Sequence, residues 1–266
     1  KALENRENLF KIYAQEVNKL GGKFVTGTDV GVDDNDLKIM RHESKYFIGS
    51  GVDSGYFTAQ GVYLGIKAAL VVIFGKDSLK ERSFAIQGVG KTGKSLLKLL
   101  YNEGLNIYIS DIDHNKINNI KEKYPRVKVV ESGAIHQQKV DIFCPCALSH
   151  SLNKKTIPEL RCKAIIGAAN NQLEKESDGE LLNKRRILYA PDAVVNAGGL
   201  ISVVDQYKNE ENYSPERIIS KLKEVEERLE KIFKRSKEEN KPTNVVAMEM
   251  VKRNIKPSNK FEFIEV

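Results

Sequence analysis

The feature that most constrains this chain is the run Gly88-Val89-Gly90-Lys91-Thr92-Gly93, set between the apolar stretch "SFAIQ" (83–87) and "KTGKSLLKLLYNEG" (91–104), whose leucines recur at helical spacing. A G-x-G-x-x-G turn joining a strand to a helix has a physical purpose. Its glycines allow a tight turn, close approach of the backbone to a pyrophosphate and close packing of helix on strand, while the helix N-terminus offers unpaired N–H groups. The next strand, "NIYIS" (106–110), ends at Asp111. A carboxylate there accepts the ribose hydroxyls of an adenosine and repels a 2′-phosphate, which favours NAD over NADP; Asp113 is the second candidate. Gly88 to Ser95 also satisfies G-x-x-x-x-G-K-S, the pattern of a nucleoside-triphosphate loop. The acidic strand end and the motifs further along favour the dinucleotide.

From Ser83 onward strands and helices alternate: a helix at "HNKINNIKEKY" and strands at "VKVV", "VDIFC", "KAIIG" and "ILYA", with short connections. This pattern predicts an α/β fold with a doubly wound, Rossmann-type parallel sheet. Upstream, Leu9, Ile12, Tyr13, Val17 and Leu20 predict a helix stopped by Gly21-Gly22, followed by a short strand, an Asp- and Gly-rich loop and a second helix. The stretch 56–75 predicts a largely apolar helix that starts at Thr58 and is buried between domains. Downstream, Ser214 and Pro215 open a helix with one apolar stripe (Ile218, Leu222, Val225, Leu229, Ile232, Phe233), and Pro242-Thr243 opens a last helix. The expected division is 1–60 as the remainder of a substrate and oligomerisation domain, 61–207 as the NAD-binding domain, and 208–266 as C-terminal helices that pack back on the first segment and complete a partial substrate domain.

Composition excludes several classes. Hydrophobic residues are 41% and charged residues 30% of 266, which is ordinary for a folded globular chain and unlike a disordered one. The net charge of +7 comes from lysines interleaved with glutamates, as in "SKLKEVEERLEKIFKRSKEENK", so it reads as a solvated surface with no nucleic-acid partner. The sequence shows no apolar run of the roughly 20 residues that span a bilayer, and "KALENRENLF" is too charged for a signal peptide; no membrane partner and a cytoplasmic location are expected. Cys144, Cys146 and Cys162 are too few for a disulfide framework, and "CPC" lacks the second pair of a zinc site, so packing rather than metal is expected of them.

Six segments in order, "TGTDVG" (26–31), "TAQGVYLGIKAA" (58–69), "QGVGKTGKSL" (87–96), "DIFCPCAL" (141–148), "IIGAANNQL" (165–173) and "YAPDAVVNAGGLISVVD" (189–205), give the chain its resemblance to a family. It resembles the leucine, phenylalanine and valine dehydrogenase branch of the glutamate/leucine/phenylalanine/valine amino-acid dehydrogenases. The resemblance implies reversible, NAD-dependent oxidative deamination of an L-amino acid to a 2-oxo acid and ammonia, in a homo-oligomer. It implies Asp29 as the catalytic carboxylate that moves protons. For the cofactor it implies Thr58 near the nicotinamide, with Gly88, Gly90, Lys91, Thr92, Gly93, Asp111, Cys146, Ala147, Ala169, Asn170 and Asn196 along the dinucleotide. For the substrate it implies Asn171, Gly199, Leu200 and Val203, the Gly198-Gly199 pair letting the backbone approach the substrate. Val203 stands where glutamate-using relatives carry a serine. An ionised side chain buried against Leu200 and Val203 would be costly, so a leucine-like aliphatic substrate is expected, with phenylalanine or valine as alternatives within the class.

Three departures accompany the resemblance. The family's lysine-bearing G-G-G-K segment, expected upstream of the first helix, is not among these residues; "GSGVDSGYFTAQG" (49–61) lacks the family's proline-serine-proline approach; and Gln206 stands where an acid is usual. The alternative reading is accordingly a non-catalytic NAD-binding module or truncated homologue.

Overall fold

The computed structural model describes residues 5–254 apart from 28, 30, 102, 104, 148, 210 and 211. Six parallel strands, β3 (Ser83–Gln87), β4 (Asn106–Ser110), β5 (Lys128–Val129), β6 (Ile142–Pro145), β7 (Ala164–Ile165) and β8 (Leu188–Tyr189), pair in the order β5-β4-β3-β6-β7-β8. The order reverses between β3 and β6, where Phe84 stands beside Ile107 on one side and Ile142 on the other. That is the doubly wound arrangement predicted from the alternation of elements, and ligands of such sheets sit at the carboxyl ends of the strands flanking the reversal.

The alternation of side chains explains why both faces are covered. Phe84 and Ile86 of β3, Ile107 and Ile109 of β4, and Ile142 and Cys144 of β6 enter one buried cluster. Ala85 and Phe143 point the other way, into a second cluster with Ile135, Leu152, Ile157 and Leu182. On the first face lie α3 (Ser54–Phe74), α4 (Lys91–Tyr101) and α9 (Pro215–Glu239), with α5 (His114–Lys123) contributing Ile117 and Ile120. The second face carries α6 (Asp178–Lys184), a helix that the sequence pattern did not reveal.

A smaller layer precedes the sheet. Helices α1 (Arg6–Lys19) and α2 (Asp34–Glu43) and the paired strands β1 (Thr26–Gly27) and β2 (Phe47–Ile48) enclose Ala14, Val17, Leu37, Met40 and Phe47. Of the apolar stripe predicted on α1, Val17 is buried while Leu9, Ile12, Tyr13 and Leu20 are exposed.

Three expectations need correction. The long apolar helix begins at Ser54, four residues before Thr58, because the Asp53 side chain accepts a hydrogen bond from Tyr56 N–H and caps it. By length and composition α3 could cross a membrane, yet ten of its residues are buried in protein and it packs on α4, on α8 (Gly198–Lys208) and on α9. Finally, the C-terminal helices pack chiefly on α3, α8 and α6 rather than on α1 and α2. The stripe of α9 is buried in the same cluster as Val62, Ile66 and Leu70 of α3, and α10 (Thr243–Asn254) packs on α9, α6 and β8. The apolar surface available to α9 is the outer side of α3, and that burial decides its place. Residues 255–266 of the expected C-terminal unit lie outside the described residues.

One buried ion pair fixes α8 to the start of α9. Asp205, 1% exposed, accepts from Arg217 Nε at 3.0 Å and Nη2 at 2.9 Å and from Ser214 N–H at 3.0 Å. The Arg217 guanidinium holds the Asp205 carboxyl below the usual carboxylate range. A carboxyl whose folded pKa is depressed contributes stability that is present above its unfolded pKa and lost as pH falls through the folded value. Asp205→Asn is therefore expected to lower stability near pH 7 by about 1–3 kcal/mol. The gap to the parent should narrow below about pH 4, which thermal unfolding across pH measures directly.

Candidate functional site

The strand ends on either side of the reversal form a crevice. Gly88, at φ +90°, adopts a conformation that side chains disfavour, and a β-carbon there would stand 2.9 Å from the N and Cα of Ala147, which follows β6. A β-carbon at Gly93 would overlap the Gly88 carbonyl and lie 3.3 Å from the Cys146 side chain, so this glycine lets α4 seat against the turn. Gly90 differs from both, since nothing lies within 4 Å of where its β-carbon would be. The open space is thus above the middle glycine, at the N-terminus of α4, where a pyrophosphate would meet backbone N–H groups. Loss of solvent pushes the Cys146 thiol up to about 11, which makes it a neutral wall and a poor nucleophile at neutral pH.

Asp111 is tied to the same turn. Its Oδ2 accepts from Val89 N–H at 2.8 Å and its Oδ1 from Asp113 N–H at 2.9 Å, which leaves lone pairs on both oxygens for ribose hydroxyls. Asp113 is otherwise engaged: it caps α5, accepting from Asn115 and Lys116 N–H groups. Ile112, between them, is 85% exposed and offers an apolar surface beside Asp111. Nothing in the sequence singles it out, because burial and not spacing marks an exposed isoleucine as unusual. The triphosphate-loop reading fails on geometry: α4 begins at Lys91, so Gly93-Lys94-Ser95 already lie inside the helix, and Ser95 Oγ donates to the Lys91 carbonyl.

On the far side of the crevice the loop after β7 is held by Gln172. This fully buried side chain donates through Nε2 to the carbonyls of Gly167 at 2.9 Å and Ala169 at 3.0 Å, while Ala169 N–H donates to Pro145. Asn170 and Asn196 are brought together, Asn196 Nδ2 donating to Asn170 Oδ1 at 2.6 Å. Asn171 is placed differently. It adopts φ +49°, its carbonyl accepts from His150 N–H, and it lines a separate cavity with His150 and Pro191.

A cavity of about 360 Å³ gathers Thr58, Lys91, Thr92, Gly199, Leu200 and Val203 with Val25, Thr26, Gly27 and Ile48. Elements far apart in sequence thus meet at one place: the glycine turn, the start of α3, the start of α8 and the strand pair β1-β2. Asp29 is exposed two residues beyond Gly27, where its carbonyl accepts from Val32 N–H; its neighbours Thr28 and Val30 lie outside the described residues.

The Gly198-Gly199 pair has a structural cause that the sequence reading missed. A β-carbon at Gly198 would overlap the Phe57 carbonyl, and one at Gly199 would lie 2.9 Å from Thr58 Oγ1. What approaches these glycines closely is α3, and Gly199 reaches the cavity as a consequence. Between α7 (Asp192–Val195) and α8 the chain breaks at Asn196 and Ala197, so the motif that suits neither a helix nor a strand is two helices and their joint.

Gln206 is the other residue whose role only the fold discloses. Buried on α8, it accepts from Gly49 N–H at 2.8 Å through Oε1 and donates to the Ser50 carbonyl at 2.8 Å through Nε2. A carboxylate cannot make the second bond, so the amide matches the altered 49–61 loop.

The glycine geometry separates two substitutions. Gly90→Ala is expected to fold with its melting temperature nearly unchanged but to weaken dinucleotide binding, whereas Gly88→Ala is expected to lower the melting temperature by several degrees; thermal unfolding with a fluorescence titration of NADH distinguishes them. Gln206→Glu should also lose stability, by about 1–3 kcal/mol for a carboxylate facing a carbonyl, and regain part of it when the carboxyl is protonated at low pH.

Comparison with known proteins agrees with this geometry. Residues 49–260 match the family model described as glutamate/leucine/phenylalanine/valine dehydrogenase. The phenylalanine dehydrogenase of Thermoactinomyces intermedius is 42% identical over 255 residues, covering 93% of this chain and 69% of that protein. The leucine dehydrogenase of Geobacillus stearothermophilus is 35% identical over 263 residues, covering 97% and 71%. The crystal structure of L-tryptophan dehydrogenase from Nostoc punctiforme superposes with a TM-score of 0.80 at 36% identity, covering 93% of this chain and 72% of that one. The chain therefore belongs to the glutamate/leucine/phenylalanine/valine dehydrogenase family.

Proposed function

We propose that this chain carries the dinucleotide site and one wall of the substrate site of an NAD-dependent amino-acid dehydrogenase acting on an L-amino acid with an apolar side chain. The observation that carries the reading is the single cavity in which the glycine turn meets Thr58, Gly199, Leu200 and Val203. The bound dinucleotide supplies hydride acceptance. The chain's own residues do the rest. The α4 N-terminus and the open space above Gly90 receive the pyrophosphate, and Asp111 receives the ribose hydroxyls, its charge selecting against a 2′-phosphate. Asn196 is oriented by Asn170 so that its amide presents a fixed edge toward the nicotinamide side.

Leu200, Val203, Val25 and Ile48 give the cavity an apolar wall. A substrate carboxylate side chain pressed against them would lose its hydration without a partner, so acidic amino acids are disfavoured. A leucine-like side chain is the proposed substrate, with phenylalanine next. Asp29 is proposed to hold and release the proton exchanged between water, the amino group and the hydrated carbon, a role suited to a carboxylate on the loop after β1. Homo-oligomeric assembly is proposed on the same family grounds.

The test is NADH oxidation by the purified chain with ammonia and a panel of branched, aromatic and acidic 2-oxo acids, with NADH and NADPH binding measured in parallel. Tighter binding of NADH than of NADPH and turnover of branched or aromatic oxo acids are expected. Preference for an acidic oxo acid would overturn the apolar pocket, and failure to bind NADH would overturn the dinucleotide site. Asp29→Asn is expected to reduce turnover by about 10²–10⁴-fold with NADH affinity unchanged.

A further inference from the structure

A second cavity lies at the opposite end of the sheet, beside the residues that lead into β7 and β8. It has a volume of about 650 Å³, within the range of small-molecule sites. Its floor is apolar, formed by Val72 and Ile73 near the end of α3, Leu182 of α6, Leu188 of β8 and Phe233 of α9. Four cationic residues, Lys163, Arg185, Arg186 and Lys237, line it, and no acidic residue does. Two of the four are occupied: Lys163 pairs with Asp141 at 2.9 Å, and Arg185 donates to the carbonyls of Ile157 and Leu160. Arg186 and Lys237 are exposed, and the side chain of neither makes a hydrogen bond or ion pair among the described residues.

The backbone adds an independent observation. Arg186 follows the last turn of α6 at φ +56°, a conformation that glycine takes freely and arginine does not. Its N–H donates to Asn183 O and that of Ile187 to Leu182 O, a helix end at which glycine is the relaxed choice. Across the rim Asn240 closes α9 at φ +51°, and Asn183 Nδ2 donates to its carbonyl at 3.3 Å. The strained position thus holds a long cation at the mouth of an apolar cavity, where a glycine would relieve the strain but contribute no charge.

We propose that this cavity binds an amphipathic anion, an apolar body lying on the Phe233 and Ile73 floor with a carboxylate or phosphate head between Arg186 and Lys237. Neither part suffices alone: the apolar floor gives burial, and the two cations give an anionic head the partners that its dehydration requires. The site is separate from the Gly88 crevice, so its occupant does not compete directly with NADH.

Titration calorimetry and thermal shift of the purified chain with octanoate test this, with acetate, octan-1-ol and octylammonium as controls. Octanoate is expected to bind once per chain and raise the melting temperature, and each control to bind at least tenfold more weakly. Arg186→Gln with Lys237→Gln is expected to weaken octanoate binding at least tenfold while leaving NADH binding and the ligand-free melting temperature unchanged. Arg186→Gly should hold or raise that melting temperature while weakening octanoate, which separates loss of the cation from loss of the fold. The proposal is overturned if octanoate does not bind, binds no tighter than octan-1-ol, competes with NADH, or binds the double variant as tightly as the parent.

Discussion

The contact between α8 and the backbone of α3 sets the position of everything that surrounds the proposed substrate cavity. At Gly198 the approach admits no side chain, because the Phe57 carbonyl occupies the place of a β-carbon. With α8 seated there, Leu200 and Val203 face the strand pair β1-β2, and Thr58 faces the glycine turn across the cavity. The ion pair of Asp205 with Arg217 then carries the position of α8 into α9, whose apolar stripe covers the outer side of α3. The wall of that cavity and the cover of the core are thus parts of one packing arrangement, in which a displacement of α3 would move both.

Much of this was legible in the chain itself, for reasons that differ along its length. The sheet was readable because strands buried on both faces are short apolar runs divided by helices of regular period, and the G-x-G-x-x-G turn fixes which strand comes first. Asp111 stood out because a dinucleotide site needs an acid at the end of the next strand; in the fold its carboxylate accepts from two backbone N–H groups at the glycine turn and the strand end. The start of α3 was misjudged because Thr58 resembles a cap, whereas the capping oxygen belongs to Asp53, in the stretch that departs from the family pattern. The docking of α9 was misjudged because an amphipathic stripe says that a helix will be buried and leaves open against what. The same limit hid the cause of Gly198 and Gly199: a sequence shows that something comes close to a glycine pair but does not distinguish a ligand from a neighbouring helix.

Two departures from the family pattern, the 49–61 loop and Gln206, are better understood as one. The loop presents an N–H and a carbonyl from adjacent residues, Gly49 and Ser50, toward α8. An amide satisfies both, with one donor and one acceptor at the end of a single side chain, whereas an acid satisfies only the N–H and faces the carbonyl with like charge. The burial of Gln206 makes the distinction costly, since a carboxylate there would face the Ser50 carbonyl with little water to screen it. The glutamine therefore holds the altered approach to α3 at the height that keeps Ser54 and Thr58 on the cavity wall, and the departure at 49–61 leaves the cavity intact because the departure at 206 accompanies it.

The two cavities occupy opposite ends of the molecule and share one element. Ser54, Gly55 and Thr58 of α3 line the proposed substrate cavity, and Val72 and Ile73 of the same helix line the cation-rimmed one. A helix of 21 residues spans roughly 30 Å at 1.5 Å per residue, and this one is packed on α4, α8 and α9 along its length, so it moves as a body or not at all. A ligand at one end alters affinity at the other only if it distinguishes two positions of that body, and linkage makes such an effect equal in both directions. The close fit at Gly198 argues against a continuous slide, because a small shift of α3 toward α8 drives the Phe57 carbonyl into Gly198 and a shift away opens a gap between the two helices. Coupling between the ends would therefore require a second packed arrangement of α3 against α8, distinguished from this one at the Gly198 contact.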